Sequence, residues 1–550
     1  MRVAYSVAEI RRAEGVAMAE VGDELMQRAA AGLAAVCLGE LRRRRGRAYA
    51  AKVLLLVGPG NNGGDGLYAG VRLLRRGVQV TALRVMGKAH EAGWAAFLAA
   101  GGREFANAPA PTGVGAVGGP PGESGNVGLA GELAGFDLAV DAILGIGGRS
   151  GLSGPAAALA EAVAQAGVPV VACDLPSGVP ADADAPASSH FQADVTATFG
   201  GLKPCHLVEP HRSACGRTAL FDIGLPAMES ALRQWEPEDV WARWPVPGPT
   251  DHKYTRGVVG IDAGSGRYPG ARLLAVAGAV FAGAGMVRVP PTAADAQPPG
   301  TVSPGVAAGE VSGPEAGADD ALGAGQPSNA WPGGGPPDCH GHPGDPIPAL
   351  FPNVVPAGGQ VQARVLGPGW GDRPDGREAV ERALSEGVPL VIDADGLRFL
   401  PPFVGRGDVL LTPHAGELAR LLQTSRAEVE ASPAAHVRRA AEQFGATILL
   451  KGATQFATTP DGRVQMAVPG PAWTAQGGSG DVLSGVCGTL LATGLPAADA
   501  AVMAASLQAM TAAAHLGPLP PQTLASHFPE TIAQGVGRQP ARPNCGALAR

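Results

Sequence analysis

Residues 53–84 read VLLLVGPGNNGGDGLYAGVRLLRRGVQVTALR. Val53–Val57 is a continuous apolar run of strand length. The next nine residues, Gly58 to Gly66, hold five glycines with Asn61, Asn62 and Asp65 among them. Leu67–Arg76 then repeats at helical spacing, and Gln79–Arg84 is a second strand. A strand, a glycine-rich turn, a helix and a further strand form a unit whose strands run parallel with the helix packed on one face. Upstream, residues 7–45 carry two helical patterns. Downstream, strands at Leu138–Ile143, Val168–Asp174, Ala193–Phe199 and Ala219–Ile223 alternate with helices at Ala95–Ala100 and Ala156–Gln165, and residues 107–130 read as a Gly/Pro-rich loop. The alternation restarts at Gly257–Asp262 and continues through Val287–Pro290, Val361–Leu366, Val388–Ile392, Val409–Leu411 and Thr447–Leu450 to two long Ala-rich helices, Val482–Ala492 and Ala497–Leu516. The expected organisation is therefore a first α/β unit over 1–228, a Trp- and Pro-rich linker or edge over 229–250, a second α/β unit over 251–535 and a tail over 536–550. A low-complexity insertion at 295–350, expected to be disordered, interrupts the second unit.

The whole composition fits that division. At 550 residues the chain is long enough for more than one core, and 45% hydrophobic content excludes a wholly disordered polymer. The 82 glycines and 50 prolines signal a low-complexity stretch, here the insertion. A formal charge of −7 argues against a general nucleic-acid binder. No apolar run reaches the roughly 18–20 residues of a membrane span, and the N-terminus lacks the apolar core of a secretory signal. Seven scattered cysteines with no CxxC suit free thiols in a cytoplasmic setting. Cys339, His340 and His342 cluster inside the insertion, but without a fourth ligand or a rigid frame they are not assigned a metal.

Chemistry-bearing residues gather at strand ends. Gly58, Gly60 and Gly63 satisfy GxGxxG, yet no acidic residue closes the next strand, where Arg84 stands, and no Walker lysine follows. The loop is either a tight strand-to-helix turn or a cradle in which amides meet an anion and Asn61, Asn62 and Asp65 meet a ribose or cation. Two further strands end in Asp141 and Asp174, and Ser177 follows Asp174. In a parallel sheet these termini share one rim. One carboxylate with amide and hydroxyl oxygens would suit a monovalent cation, leaving the second for proton transfer. A helix-capping role for Asp174 is the plain alternative.

In the second half, AQGGSGDVLSG (475–485) sets glycines and Ser479 before Asp481 at a helix start. Amides there can form an anion hole, with Asp481 as base for an acceptor hydroxyl, the arrangement that phosphoryl transfer needs. A structural Asp in a first helical turn is the competing reading. Lys451 and Thr454 in LLKGATQF could meet phosphates or be solvated. His414, in LTPHAGEL, could touch substrate or be structural.

These motifs carry two resemblances. ELMQRAA, GPGNNGGDG, DAILGIG, DLPSG, ADVTATFGGLKP and FDIGLP over about 5–226 resemble the NAD(P)H-hydrate epimerase family (the YjeF N-terminal domain). HKYTRG, GPGWG, PHAGE, KGAT and GGSGD over about 251–535 resemble the ADP-dependent NAD(P)H-hydrate dehydratases. The resemblance implies a Rossmann-like three-layer α/β/α domain followed by a ribokinase-like α/β domain. It implies an enzyme that interconverts R and S hydrates of NADH or NADPH and dehydrates the S form with ADP, giving AMP and phosphate. Carried over, Asn61, Asn62, Gly63, Gly64, Asp65, Gly145, Ile146, Gly147, Gly148, Arg149, Ser150 and Gly151 line the hydrate site of the first domain. Asn62, Asp141 and Ser177 hold K⁺, and Asp174 moves the proton. In the second domain Ala271, Gly371, His414 and Asp481 contact the hydrate, with Asp481 as base. Lys451, Gly452, Ala453, Thr454, Gln455 and Gly480 bind the nucleotide, which brings Mg²⁺. The implied partners are the two hydrates and ADP, without nucleic acid or membrane, and self-association is left open. The rival is a small-molecule kinase of the ribokinase-like superfamily fused to a non-catalytic Rossmann-like module.

Overall fold

A computed structural model describes residues 1–105, 124–186, 188–290 and 347–538. The cluster at Cys339–His342 and most of the 295–350 insertion and of the tail lie outside them. The described strands are β1 (Arg2–Ala4), β2 (Lys52–Val57), β3 (Gln79–Arg84), β4 (Arg103–Glu104), β5 (Leu138–Ala142), β6 (Val170–Cys173), β7 (Val195–Phe199), β8 (Arg217–Phe221), β9 (Leu232–Gln234), β10 (Val258–Asp262), β11 (Met286–Arg288), β12 (Val354–Val355), β13 (Ala363–Leu366), β14 (Leu390–Ile392), β15 (Arg406–Leu411), β16 (Ala446–Leu450), β17 (Phe456–Thr458) and β18 (Val464–Met466).

Seven of them form a sheet ordered β4-β3-β2-β5-β6-β7-β8, parallel throughout. Its central strands are buried on both faces, as their unbroken apolar runs require. Leu33, Val53, Leu55 and Phe97 belong to the core on one face, and Leu54, Leu56, Leu159 and Phe191 to the core on the other. The strand order reverses between β2 and β5, where such sheets open a crevice beyond their carboxyl ends. The expected loop over 107–130 is helical in its last part: Ser124–Leu133 forms a helix, with Leu129 and Leu133 packed on the second of these cores. Burial of those leucines overrides the poor helix propensity of the glycines around them.

The second sheet has eleven strands, ordered β1-β9-β18-β17-β16-β15-β14-β13-β10-β11-β12. β12 through β16 with β10 and β11 run parallel, and the order reverses between β10 and β13. The hairpin β17–β18 extends the edge, β9 joins β18, and β1 adds antiparallel to β9. Thus the first strand of the chain lies in the second sheet. The span 229–250 holds β9 and the helix Pro237–Arg243, whose Trp235, Trp241 and Trp244 are buried in the second core. Ala4, Ala183, Leu202, Leu207 and Val208 share a core with Leu366, Trp370 and Leu411, so the two sheets are joined by continuous apolar packing. Among the described residues no helix is long and apolar enough to cross a membrane.

Candidate active sites

At the first crevice the helix Asn61–Leu74 starts one residue after Gly60 and has no acidic residue in its first turn. A Cβ on Gly58 would lie 2.0 Å from the Ile143 carbonyl oxygen, and one on Gly63 would lie 2.1 Å from the Gly58 oxygen. The glycines therefore serve close approach, bringing the helix start against the end of β5. Asp141, at that end, is fully buried. Its carboxylate accepts the Ser177 amide at 2.7 Å, the Ser177 hydroxyl at 2.6 Å and the Ile143 amide at 3.3 Å. Burial pushes its pKa up to about 6, and the Ser177 bonds oppose that rise. Asn62 faces the same loop: its Oδ1 would be 3.1 Å from a Cβ on Gly145, and its Nδ2 is buried without a partner. Asn62, Asp141 and Ser177 are thus brought together. An oxygen-rich set with one buried carboxylate and, among the described residues, no cationic partner fits a monovalent cation.

The turn after β6 puts Asp174 in the left-handed region, φ +66°. Its carboxylate is ion-paired with the fully buried Lys203 and accepts from Thr198 Oγ1 at 3.0 Å. Lys203 also donates to Thr198 Oγ1 and the Phe199 carbonyl. This lysine was not singled out in the sequence; its only signal is its place in GGLKP after β7. Burial and the nearby Asp174 and Glu14 carboxylates push Asp65 well above the usual carboxylate range, and Glu14 is raised by burial and Asp174. Gly145 to Gly151 follow β5. Ile146 O accepts from Arg11, the Ser150 hydroxyl donates to Pro186 O, Gly151 N donates to Gly178 O, and Gly147, Gly148 and Arg149 are exposed. His206, grouped with Cys205 and Cys215, is not free for a metal. Its Nδ1 accepts from Lys203 N and its Nε2 donates to Asp174 O.

The second crevice is built on the helix Ser479–Ala492, whose N-cap Gly478 has φ +88°. Behind its first turn, Lys451 Nζ donates to the buried Asp393 at 2.6 Å. A Cβ on Gly480 would lie 3.2 Å from Lys451 Nζ and 3.9 Å from Asp393 Oδ2. Lys451, Gly480 and Asp481 therefore converge. Burial, then the charge of Asp393, pushes Asp481 up to about 7, against the pull of Lys451. Gly371 (φ +62°) donates its amide to Asp395 at 2.7 Å, and Ala271 packs where a Cβ on Gly369 would be. His414 pairs with Lys451 in an isolated parallel bridge and caps the helix Ala415–Leu422. Its Nδ1 accepts the Gly416 and Glu417 amides, and its Nε2 faces Glu417 Oε1 at 3.5 Å. Gly452 and Ala453 are exposed, and the Ala467 amide donates to Gln455 O. Thr454 Oγ1 accepts the Glu209 amide at 2.9 Å, a bond from the first unit into this loop.

Two family models match: one described as YjeF-related protein N-terminus over residues 22–205, and one described as NAD(P)H-hydrate dehydratase over 341–532. Proteins named bifunctional NAD(P)H-hydrate repair enzyme Nnr are similar along most of the chain. That of Mycobacterium tuberculosis H37Rv is 38% identical, covering 91% of each chain. That of Mycobacterium leprae is 38% identical over 93% of this chain and 94% of its own, and that of Escherichia coli K12 is 32% identical over 90% and 86%.

Proposed function

The chain belongs to the bifunctional NAD(P)H-hydrate repair enzymes, and from that premise we propose how its residues divide the work. The protein epimerises hydrated NADH and NADPH and dehydrates the hydrate to restore the reduced nucleotide. Epimerisation belongs to the first crevice. Asn61 to Asp65 and Gly145 to Gly151 line the hydrate, and Asp174 moves the proton. The observation supporting Asp174 is its ion pair with buried Lys203 beside an Asp65 whose proton is held tightly, so an acceptor and a donor share one cleft. Asn62, Asp141 and Ser177 would hold K⁺, which would supply the positive charge that the buried Asp141 lacks.

Dehydration belongs to the second crevice. Lys451 to Gln455 and Gly480 meet ADP, and Ala271, Gly371, His414 and Asp481 meet the hydrate. The observation that carries the assignment is Asp481 in the first turn of its helix, next to Gly480, where a Cβ would lie 3.2 Å from Lys451 Nζ, and within reach of the Lys451 charge. Asp481 takes the proton of the hydrate's hydroxyl as its oxygen attacks the terminal phosphorus of ADP, and AMP leaves. Hydroxide is a poor leaving group and phosphate a good one, so the phosphorylated hydrate then expels phosphate and loses a proton from the adjacent ring carbon, and the electron pair of that C–H bond forms the restored double bond. Asp393, Glu417 and Asp481 act on Lys451, and Asp395 adds its charge at Asp481, so a polyphosphate entering that negative field fits one accompanied by Mg²⁺ to screen it. The described cysteines are free and buried, in keeping with a cytoplasmic enzyme.

Separated hydrate epimers test the scheme. With ADP, Mg²⁺ and K⁺, NADH absorbance should return from S directly and from R after epimerisation. Asp174→Asn should consume S and strand R; Asp481→Asn should equilibrate the epimers and restore nothing. Equal consumption of both epimers by Asp174→Asn would overturn the assignment.

A further inference from the structure

On the second sheet, the turn between β17 and β18 lies at the end opposite Lys451, because β17 runs antiparallel to β16. A cavity of about 430 Å³ opens there, lined by Arg233, Arg243, Arg438 and Arg463, with Asp461 and Asp499 as its carboxylates. Arg463 is neutralised by Asp461 at 2.8 Å. The other three are not ion-paired among the described residues. Among those residues their hydrogen-bond and ring partners are neutral, with only the charge of Asp239 felt at Arg243. Arg438 Nη2 donates to Ala231 O at 2.8 Å and its Nε to Gly462 O at 3.4 Å. Arg233 Nε donates to Ser230 Oγ at 2.9 Å. The Arg243 guanidinium lies 4.8 Å over the Trp235 ring and donates to Asp239 O. The nearby Glu236 and Asp239 carboxylates are engaged by the Met1 ammonium.

Three guanidiniums pre-oriented by neutral partners around one cavity form a field that favours an anion. Arg438 is half-buried and pays for desolvation without a countercharge. Trp235 is itself buried, so it offers no open ring on which a base could stack. We propose that this cavity is a second anion site, separate from both crevices, for a compact oligophosphate recognised through its phosphate oxygens.

Calorimetric titration of the full chain with tripolyphosphate tests it. The wild type should bind two equivalents, one displaced by adenine nucleotide at the second crevice and one not. The nucleotide-insensitive equivalent should weaken at least tenfold in Arg233→Gln/Arg243→Gln and in Arg438→Gln, and weaken with added salt. Arg233→Gln/Arg243→Gln changes exposed side chains, so it decides the matter if Arg438→Gln fails to fold. Dehydration without added oligophosphate should be unchanged in the double variant. A single equivalent wholly displaced by nucleotide, or unchanged affinity in the double variant, would overturn the proposal.

Discussion

Replacing K⁺ by choline should expose the cost of burying Asp141. Its pKa is raised from 3.8 to about 6 by burial, with no cationic group beside it among the described residues. At ~1.36 kcal/mol per pH unit, that corresponds to about 3 kcal/mol against the ionised, folded form. The folded protein holds this proton more tightly than the unfolded chain does. The group therefore costs nothing below about pH 4, and stability drains away as pH rises through 6, after which the full deficit is present. A cation bound by Asn62, Asp141 and Ser177 cancels the deficit where the carboxylate is ionised and does nothing where it is protonated. Stabilisation by K⁺ should thus be absent near pH 4 and reach about 3 kcal/mol above pH 7. For a unit of this size ~1 kcal/mol moves Tm by roughly 2–4 °C, so about 6–12 °C is expected for the transition of the first unit. Differential scanning calorimetry in KCl and in choline chloride, at matched ionic strength from pH 4.5 to 8, reads it directly. Asp141→Asn should abolish the difference between salts. Identical transitions in both salts at pH 8, or a K⁺ effect that survives Asp141→Asn, would refute the reasoning.

Three further outcomes are expected. In the wild type, kcat/KM for dehydration should rise with pH to a plateau above about 7, as Asp481 loses its proton; Asp481→Asn should lower it by roughly 10²–10⁴-fold and flatten the profile, followed by NADH absorbance. Lys203→Met removes the partner of a buried carboxylate and should cost about 3–5 kcal/mol in denaturant unfolding of the first unit, with epimerisation lost and dehydration of the S epimer retained. Gly278→Ala would put a Cβ 2.1 Å from the Val482 carbonyl oxygen. It should destabilise the second unit by about 1–3 kcal/mol and raise the KM for nucleotide, leaving epimer exchange intact.

Both crevices were legible because each rests on glycines that a strand-to-helix approach demands, with acids placed at strand ends by the same periodicity. Asp141 and Asp174 stand at strand ends, and Asp481 stands in the first turn of the helix that follows a glycine-rich turn. Lys203 was not legible: it follows β7 in an irregular turn, and only the third dimension returns its ammonium to Asp174. The short strands at one end of the second sheet escaped for a related reason. β1, β9, β17 and β18 have three residues each, too few for a period-two pattern to emerge. Their pairing, which ties the chain's start to its second sheet, is a property of contacts rather than of spacing. His414 shows the opposite case. Its motif suggested a substrate contact, and its local role as a helix cap was readable only once the Gly416 and Glu417 amides were seen to point at Nδ1.

The helices Pro269–Phe281 and Ser479–Ala492 meet glycine to backbone in both directions. A Cβ on Gly278 would strike Val482 O, and one on Gly485 would strike Ala275 O at 2.0 Å. At these two glycines backbone meets backbone, and Thr489 Oγ1 donates to Ala279 O beside them at 3.3 Å, so the two helices cross at closer range than side-chain packing alone would allow. Ala271 rides near the front of one helix and Asp481 near the front of the other. The spacing between Ala271 and Asp481 is consequently tied to a backbone-to-backbone approach, and a side chain at either glycine would have to push the two helix fronts apart.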